Sequence, residues 1–298
     1  MGTLSGMRSS ATAALLLAAF ALVGCSTKDD AQGGTPVVGA AFYPLAEIVH
    51  AVGGDAVEVV TVVPPGEEAH EYEPTPSQIG DLQDVSVIFY LGGFQPAVDD
   101  ALGELDAAKI DLMQSLTVRH IGEDVDPHVW LDPQMMIAMT EQVREVLAER
   151  LPEHAADIRQ QAEAYISQLE TLNEEMRGGL SSCSSQLLVT THEAFGYLAD
   201  AYGLQQVGIS GISPGDEPSA KALEQIADLV REEGVSTVFS EDGLPDDLAR
   251  TVADETGATT ATLFTIESPA RDELDAGANY ESFMRDNLAA LRAALECA

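Results

Sequence analysis

Three histidines in this 298-residue sequence, His70, His128 and His192, each stand where an apolar segment typical of a β-strand gives way to a predicted helix. The imidazole side chain is a favoured ligand of zinc and of related transition metals. In open α/β sheets the carboxyl ends of the strands line the binding crevice, so three such loops can converge on one place. The spacing predicts a shared metal site, and leaves open the alternative of three separate surface histidines.

Short apolar runs alternate with amphipathic segments on both sides of a strand-free stretch, as in VVGAAF followed by YPLAEIVHAV and in SQLLVT followed by EAFGYLADAYG. This alternation is typical of parallel α/β sheets. Between Pro133 and about Leu180, apolar residues recur at three- and four-residue spacing, which predicts a long helix. Those residues are Ile158, Ala162, Tyr165, Leu169, Leu172 and Met176. We therefore predict an α/β protein with two lobes, each a mostly parallel sheet flanked by helices, at 37–152 and 182–298, joined by one long rigid helix at 153–181.

Two of the histidine loops end in the same helix-start signal. Thr75 and Asp132 can each cap a helix, and each is followed by a proline, Pro76 or Pro133, at the position that tolerates it. A ligating imidazole is usually held through its second nitrogen by a carboxylate or a carbonyl. Among nearby acidic residues, Asp126, Glu71 and Glu193 are candidates for that role.

The first 24 residues predict export. Arg8 precedes the apolar run ALLLAAFALVG, which is too short to span a bilayer and fits the core of a signal peptide. The run ends just before Cys25, in the pattern of a lipidated cysteine, and the polar residues up to position 36 are predicted to form a tether. We expect an exported protein held at the membrane of the cell envelope by lipid on Cys25; the alternative is an ordinary signal peptide with a chance cysteine.

Charge and cysteine content narrow the partners and the compartment. Loss of residues 1–24 would remove Arg8 and no acid, so the formal charge would move from −36 to −37. Such an acidic chain is not expected to bind nucleic acid. The remaining thiols, Cys183 and Cys297, form an even pair in an oxidising location, which predicts a disulfide, with two free thiols as the alternative.

Five motifs follow one another along the chain: PPGEEAHEYEPTPSQI, DPHVWLDP, VTTHEAFGYLADAYGL, GISPGDEPS and VFSEDG. Together they resemble the zinc and manganese receptors of ABC importers, a group of solute-binding lipoproteins, from about Val37 to Leu295. The resemblance implies a monomeric, high-affinity receptor that binds Zn²⁺ outside the cytoplasmic membrane and delivers it to an ABC permease with its ATPase.

The resemblance also implies roles for single residues. His70, His128 and His192 match the metal-binding histidines of the family. Manganese receptors often have a carboxylate at the position of His192 and an aspartate near that of Phe264, so both positions favour zinc. We assign Glu241, at another strand end, to the fourth position of the metal site, with a role behind a ligand as the alternative. A further alternative is water, with an acid of the first loop, Glu67, Glu68 or Glu71, behind it.

Other functions fit parts of the same pattern. A manganese or iron receptor of the same fold is one, and a surface adhesin built on that fold is another. A secreted zinc hydrolase is the alternative from a different class, because three histidines and an open position also describe catalytic zinc, with Glu241 or Glu71 as a base. The sequence has no HExxH helix and no obvious activated nucleophile, so we expect no enzyme.

Overall fold

The computed structural model describes residues 1–2 and 34–298, and Thr35–Ala298 form one compact unit. The predicted leader, apart from its first two residues, and the proposed lipid-bearing Cys25 lie outside the described residues. Among the helices that are described, none is both long enough and apolar enough to cross a membrane.

The N-terminal lobe is built on a sheet of four parallel strands. These are β1 (Val37–Ala40), β2 (Glu58–Thr61), β3 (Val87–Tyr90) and β4 (Ala108–Asp111). Their order is β2-β1-β3-β4, with β1 hydrogen-bonded to both β2 and β3. The helices of this lobe are α1 (Tyr43–Gly53), α2 (Pro76–Asp81) and α3 (Pro96–Gly103). His70 lies in the loop after β2, and His128 lies beyond β4.

A small hairpin and two long helices follow. The hairpin consists of the antiparallel strands β5 (His120–Ile121) and β6 (Asp124–Val125). The helices are α4 (Pro133–Arg150) and α5 (Ala155–Leu180), and the second leads into the C-terminal lobe. All six apolar residues of the predicted spacing on α5 are buried.

The C-terminal lobe repeats the strand order of the first lobe. Its parallel strands are β7 (Leu187–Thr190), β8 (Gln205–Gly208), β9 (Thr237–Glu241) and β10 (Thr259–Leu263). Their order, β10-β9-β7-β8, is that of the first sheet when the strands are counted within the lobe. The helices are α6 (Gly196–Tyr202), α7 (Ala220–Glu233), α8 (Asp247–Thr256), α9 (Arg271–Asp275) and α10 (Tyr280–Ala294). The predicted fold class, two α/β lobes with parallel sheets, is confirmed.

The main hydrophobic core is shared by the two lobes and the long helices. It runs without a break from Phe42 and Ile88, through Leu169 of α5, to Phe195 and Phe283. A second, smaller core lies within the C-terminal lobe. Its buried residues are Val189, Ile209, Ile226, Val230, Val238, Ala249 and Val252. Because the main core crosses from lobe to lobe, the two sheets are held together by packing as well as by α5.

Helix caps and a disulfide fix the ends of several helices. Asp132 caps α4 by accepting the N–H of Gln134 at 2.8 Å, and Thr75 caps α2, as the sequence predicts. Cys183, after α5, is joined in a disulfide to Cys297, after α10. The disulfide lies ahead of the amino end of β7, whereas the histidine loops leave the carboxyl ends of the strands.

Candidate metal centre

His70 lies in the long loop between β2 and α2, which is folded around its own side chains. The carboxylate of Glu68 accepts the backbone N–H of His70 at 2.7 Å and that of Glu71 at 2.8 Å. The amide of Gln95 donates to the carbonyl of Ala69 at 2.8 Å. These bonds fix the backbone on both sides of His70, so its imidazole is held in one direction although it stands in a loop.

His128 follows the β5–β6 hairpin and is fully buried. Its backbone N–H donates to Oδ1 of Asp126 at 3.1 Å, and its Nδ1 lies 2.8 Å from the same oxygen. Trp130 lies behind the ring, with 5.3 Å between ring centroids, and its indole N–H donates to the carbonyl of Thr265 at 2.7 Å. Asp126 therefore orients the ring so that Nε2 faces the cleft, as predicted for a carboxylate behind a ligand.

His192 stands in a turn after β7. Helix α6 begins only at Gly196, three residues after Glu193, where the sequence pattern suggests that the helix starts. Glu241, the last residue of β9, accepts the backbone N–H of His192 at 2.9 Å, and its other oxygen contacts Nδ1 of the ring. The hydroxyl of Thr191 donates to Glu241 as well. Glu241 thus holds His192 in the way that Asp126 holds His128.

A fourth side chain, Glu267, reaches the same place from the segment after β10. Its predecessor Ile266 has a φ of 62°, a conformation that a β-branched residue rarely adopts. The backbone is held just before this point, where buried Asn287 bonds both the N–H and the carbonyl of Phe264, at 2.7 and 2.8 Å. Just after it, the hydroxyl of Ser268 bonds the first loop of the other lobe. The surrounding contacts hold the strained turn and aim Glu267 at the histidines.

The four side chains meet at distances that suit one metal ion. Nε2 of His128 lies 3.2 Å from Nε2 of His70 and 3.4 Å from Nε2 of His192. The oxygens of Glu267 lie 3.5 Å from His70 and 3.6 Å from His128. A tetrahedral zinc ion with ligands at about 2.0–2.1 Å separates neighbouring ligand atoms by about 3.3 Å. The four candidate ligand atoms all lie within 4.8 Å of one another, so this group can surround a single ion.

The burial of these groups controls their charge. Burial lowers the pKa of His128 well below its usual value, against the opposing charge of Glu267. Burial also acts to lower the pKa of His192, but the hydrogen bond and charge of Glu241 outweigh it, so that pKa is raised. The pKa of Glu267 falls to about 2, because the surrounding imidazoles outweigh the effect of burial. Without metal, the site therefore combines an anionic Glu267 with a neutral His128.

The structure brings together the three histidines that the sequence singled out, and it puts Glu241 on the far side of His192 rather than beside Nε2. The geometry therefore favours the alternative role for Glu241, behind the ligand His192, over the predicted fourth position, which Glu267 takes. Sequence reasoning missed Glu267. The prediction for the last strand rested on Phe264, whose ring packs on Phe283 at 5.1 Å and which lies three residues before the carboxylate. An acidic residue soon after the last strand was the available signal.

The chain matches the family model described as zinc-uptake complex component A, periplasmic, over residues 38–294. The zinc-binding lipoprotein AdcA of Streptococcus pneumoniae is 34% identical over 295 residues, which cover 93% of this chain. This chain spans 59% of the length of that relative. The high-affinity zinc uptake system protein ZnuA of Bacillus subtilis is 31% identical over 310 residues, covering 98% of this chain and 97% of the relative.

Solved structures share the fold. The Zn(II)-bound ZnuA-like domain of Streptococcus pneumoniae AdcA superposes with a TM-score of 0.78 at 34% identity, covering 88% of this chain and all of that one. The laminin-binding protein Lmb of Streptococcus agalactiae, described as having adhesin and metal-transporting activity, gives a TM-score of 0.80 at 30% identity over the same shares.

Proposed function

We propose that this chain, which belongs to the family of periplasmic zinc-uptake complex component A, is a receptor that captures Zn²⁺ outside the cytoplasmic membrane and delivers it to an ABC importer. The observation that carries the proposal is the convergence of three imidazole nitrogens and one carboxylate at the spacing of tetrahedral zinc. Both relatives named above carry zinc in their names, which agrees with this assignment.

The donor set favours zinc over manganese. Manganese prefers oxygen donors in six-coordinate sites, whereas imidazole nitrogens in a four-coordinate site suit zinc. From Phe264 we expected no oxygen ligand near the last strand, whereas the carboxylate of Glu267 lies beside the three histidines. The preference for zinc therefore rests on the three histidines and on the tetrahedral spacing, and no longer on the absence of a carboxylate.

The burial and the number of ligands favour a cargo site over a catalytic one. A catalytic zinc usually has three protein ligands and one open position for water or substrate. Here four side chains face one another, and they are exposed by only 9% (His70), 0% (His128 and His192) and 7% (Glu267). We therefore propose a receptor that closes around the ion, and not a hydrolase.

Because the candidate ligands come from both lobes, metal binding would affect how the lobes are held together. His70 and His128 belong to the first lobe, and His192 and Glu267 to the second, so a bound ion would bridge the cleft. We propose that the permease docks on both lobes and releases the ion by disturbing this shared geometry. The proposed lipid on Cys25 would hold the receptor at the membrane beside its permease.

A metal analysis combined with competition tests the proposal. The purified chain from residue 34 onwards, stripped with a chelator, should bind one Zn²⁺ per molecule and hold it against a large excess of Mn²⁺. Loss of one equivalent in a His128→Ala variant would show that the bound zinc occupies this site. Equal affinity for Mn²⁺ and Zn²⁺ at neutral pH would contradict the zinc assignment.

A further inference from the structure

Arg119, just before the β5–β6 hairpin, makes contacts with both lobes that the metal site itself does not require. Its Nη1 lies 3.1 Å from Oδ2 of Asp126, the carboxylate whose other oxygen holds His128. Its Nε lies 2.8 Å from Asp200, on α6 of the second lobe. A single guanidinium thus links the partner of a metal ligand in one lobe to a helix of the other.

A tyrosine of the same helix, Tyr197, binds the base of the hairpin. The hydroxyl of Tyr197 accepts the backbone N–H of Arg119 at 2.7 Å and donates to the backbone carbonyl of Asp126 at 2.9 Å. The guanidinium of Arg119 also lies 5.7 Å from the centroid of the Tyr197 ring, within the range of a cation–π contact. The backbone of both residues at the hairpin base is therefore fixed to α6.

Gly196, the first residue of α6, provides the space for this arrangement. A methyl group at Gly196 would lie 1.2 Å from Nη1 of Arg119 and 2.9 Å from Oδ2 of Asp126. The backbone of α6 therefore lies closer to the Arg119–Asp126 ion pair than it could if residue 196 had a side chain. Such close approach is a physical reason for glycine at this position.

We propose that Arg119 is a positioning residue that couples the contact between the lobes to zinc binding, by holding Asp126 and through it the imidazole of His128. This inference rests on the proposed zinc-receptor function. When α6 lies against the hairpin, Arg119 fixes Asp126 and the ligand geometry is complete. When α6 moves away, Arg119 loses its bond to Asp200 and the hairpin base loses both bonds to Tyr197, so Asp126 and the imidazole of His128 are held less firmly. Separation of the lobes by a docking partner would in this way loosen one zinc ligand from outside the site.

The test compares Arg119→Met with a matched control, Arg285→Met. Arg285 of α10 also joins two elements, since it contacts Glu175 of α5 at 2.7 Å and Glu281 of its own helix at 3.1 Å. Neither glutamate is a candidate ligand or the partner of one. Zinc affinity and dissociation rate are measured with a competing chelator, and the melting temperature of the metal-free protein reports stability. Co²⁺ in place of zinc reports ligand geometry through its visible absorption spectrum.

Arg119→Met should weaken zinc binding by about 10-fold, the lower end of the range for loss of a ligand's outer partner, because Arg119 acts on His128 through Asp126. It should also speed dissociation and alter the Co²⁺ spectrum. Arg285→Met should leave zinc affinity within about twofold of the wild type. Arg119→Lys, which keeps a cation beside Asp126, should recover part of the affinity.

Asp200→Asn provides a second variant that leaves Arg119 and the hairpin intact. Because Asp200 is exposed, its replacement should leave the fold intact, and the loss of its bond to Arg119 should speed zinc dissociation. Wild-type affinity in Arg119→Met, an equal loss in Arg285→Met, or an unchanged dissociation rate in Asp200→Asn would overturn the inference. Failure of the wild-type protein to bind zinc would instead refute the proposed function.

Discussion

The two lobes share one strand order, yet they supply different halves of the metal centre. The first lobe gives two imidazoles, from the loops after its second and fourth strands, and Asp126 stands behind one of them. The second lobe gives one imidazole, after its first strand, and two carboxylates: Glu241 behind His192, and Glu267 facing the ion position. The same fold thus presents a nitrogen-rich face on one side of the cleft and an acidic face on the other.

This difference suggests that the two lobes play different parts in zinc binding. The pKa of His128 is lowered by burial, so the first lobe offers a neutral imidazole that is ready to bind metal. Burial acts to lower the pKa of His192, but Glu241 outweighs burial and the pKa is raised. His192 in the second lobe therefore keeps a proton more readily, and zinc must displace that proton to bind. The first lobe is the better candidate for initial capture, and the second for closing the site and for its response to pH.

The largest effect should come from removing the buried ligand of the nitrogen-rich face. His128→Ala should weaken zinc binding by well over about 100-fold, because it removes a ligand and leaves Asp126 buried without its partner, whereas loss of an outer partner costs about 10–100-fold. Chelator competition measures the affinity. His120→Ala, an exposed histidine on the adjacent hairpin, is the control and should bind zinc like the wild type. Equal affinity in the two variants would remove His128 from the site.

The two acids of the second lobe should differ in the size of their effect. Glu267→Gln should weaken zinc binding more than Glu241→Gln, since Glu267 faces the ion position and Glu241 acts through His192. The loss for Glu241→Gln should be about 10–100-fold. X-ray absorption should show a changed set of ligand atoms in the first variant only. The opposite ranking would return Glu241 to the fourth position.

Acid should weaken zinc binding through the second lobe. A raised pKa means that His192 keeps its proton to a higher pH than usual, so zinc must displace a proton as pH falls through that pKa. Below it, each pH unit should cost about tenfold in affinity for the one proton displaced. In Glu241→Gln this fall should begin at lower pH, because the main cause of the raised pKa is gone. Affinity that stays constant from neutral pH to about pH 5 would contradict this prediction.

The smallest effect on zinc should come from the disulfide. Replacing Cys183 and Cys297 by serine should lower the free energy of unfolding by about 2–5 kcal/mol, as expected for a bond that closes a long loop. Zinc affinity should stay within about twofold of the wild type, because the bond lies ahead of the amino end of β7 and the ligands follow the carboxyl ends of strands. Denaturant unfolding and chelator competition measure the two quantities. A large loss of affinity would show that the lobes depend on this bond for their alignment.

The sequence by itself determined the elements and the three histidines. Alternating apolar and amphipathic segments predict two parallel sheets, and proline after Thr75 and Asp132 predicts where α2 and α4 begin. Three imidazoles at strand ends predict a metal site, and they stand in three of the five ordered motifs that carry the resemblance to metal receptors. These are local signals, since each depends on a few neighbouring residues and on the periodicity of helices and strands.

Only the tertiary structure decided which carboxylate faces the ion. Glu241 ends β9 and Glu267 follows β10, and their local sequences do not distinguish a ligand from the partner of a ligand. The choice depends on the turn at Ile266, on the Asn287 bonds to Phe264, and on the contact of Ser268 with the other lobe. The contacts of Arg119 with α6 likewise join residues far apart in the chain. Side-chain direction in such loops is set by long-range packing and hydrogen bonds, which sequence spacing does not contain.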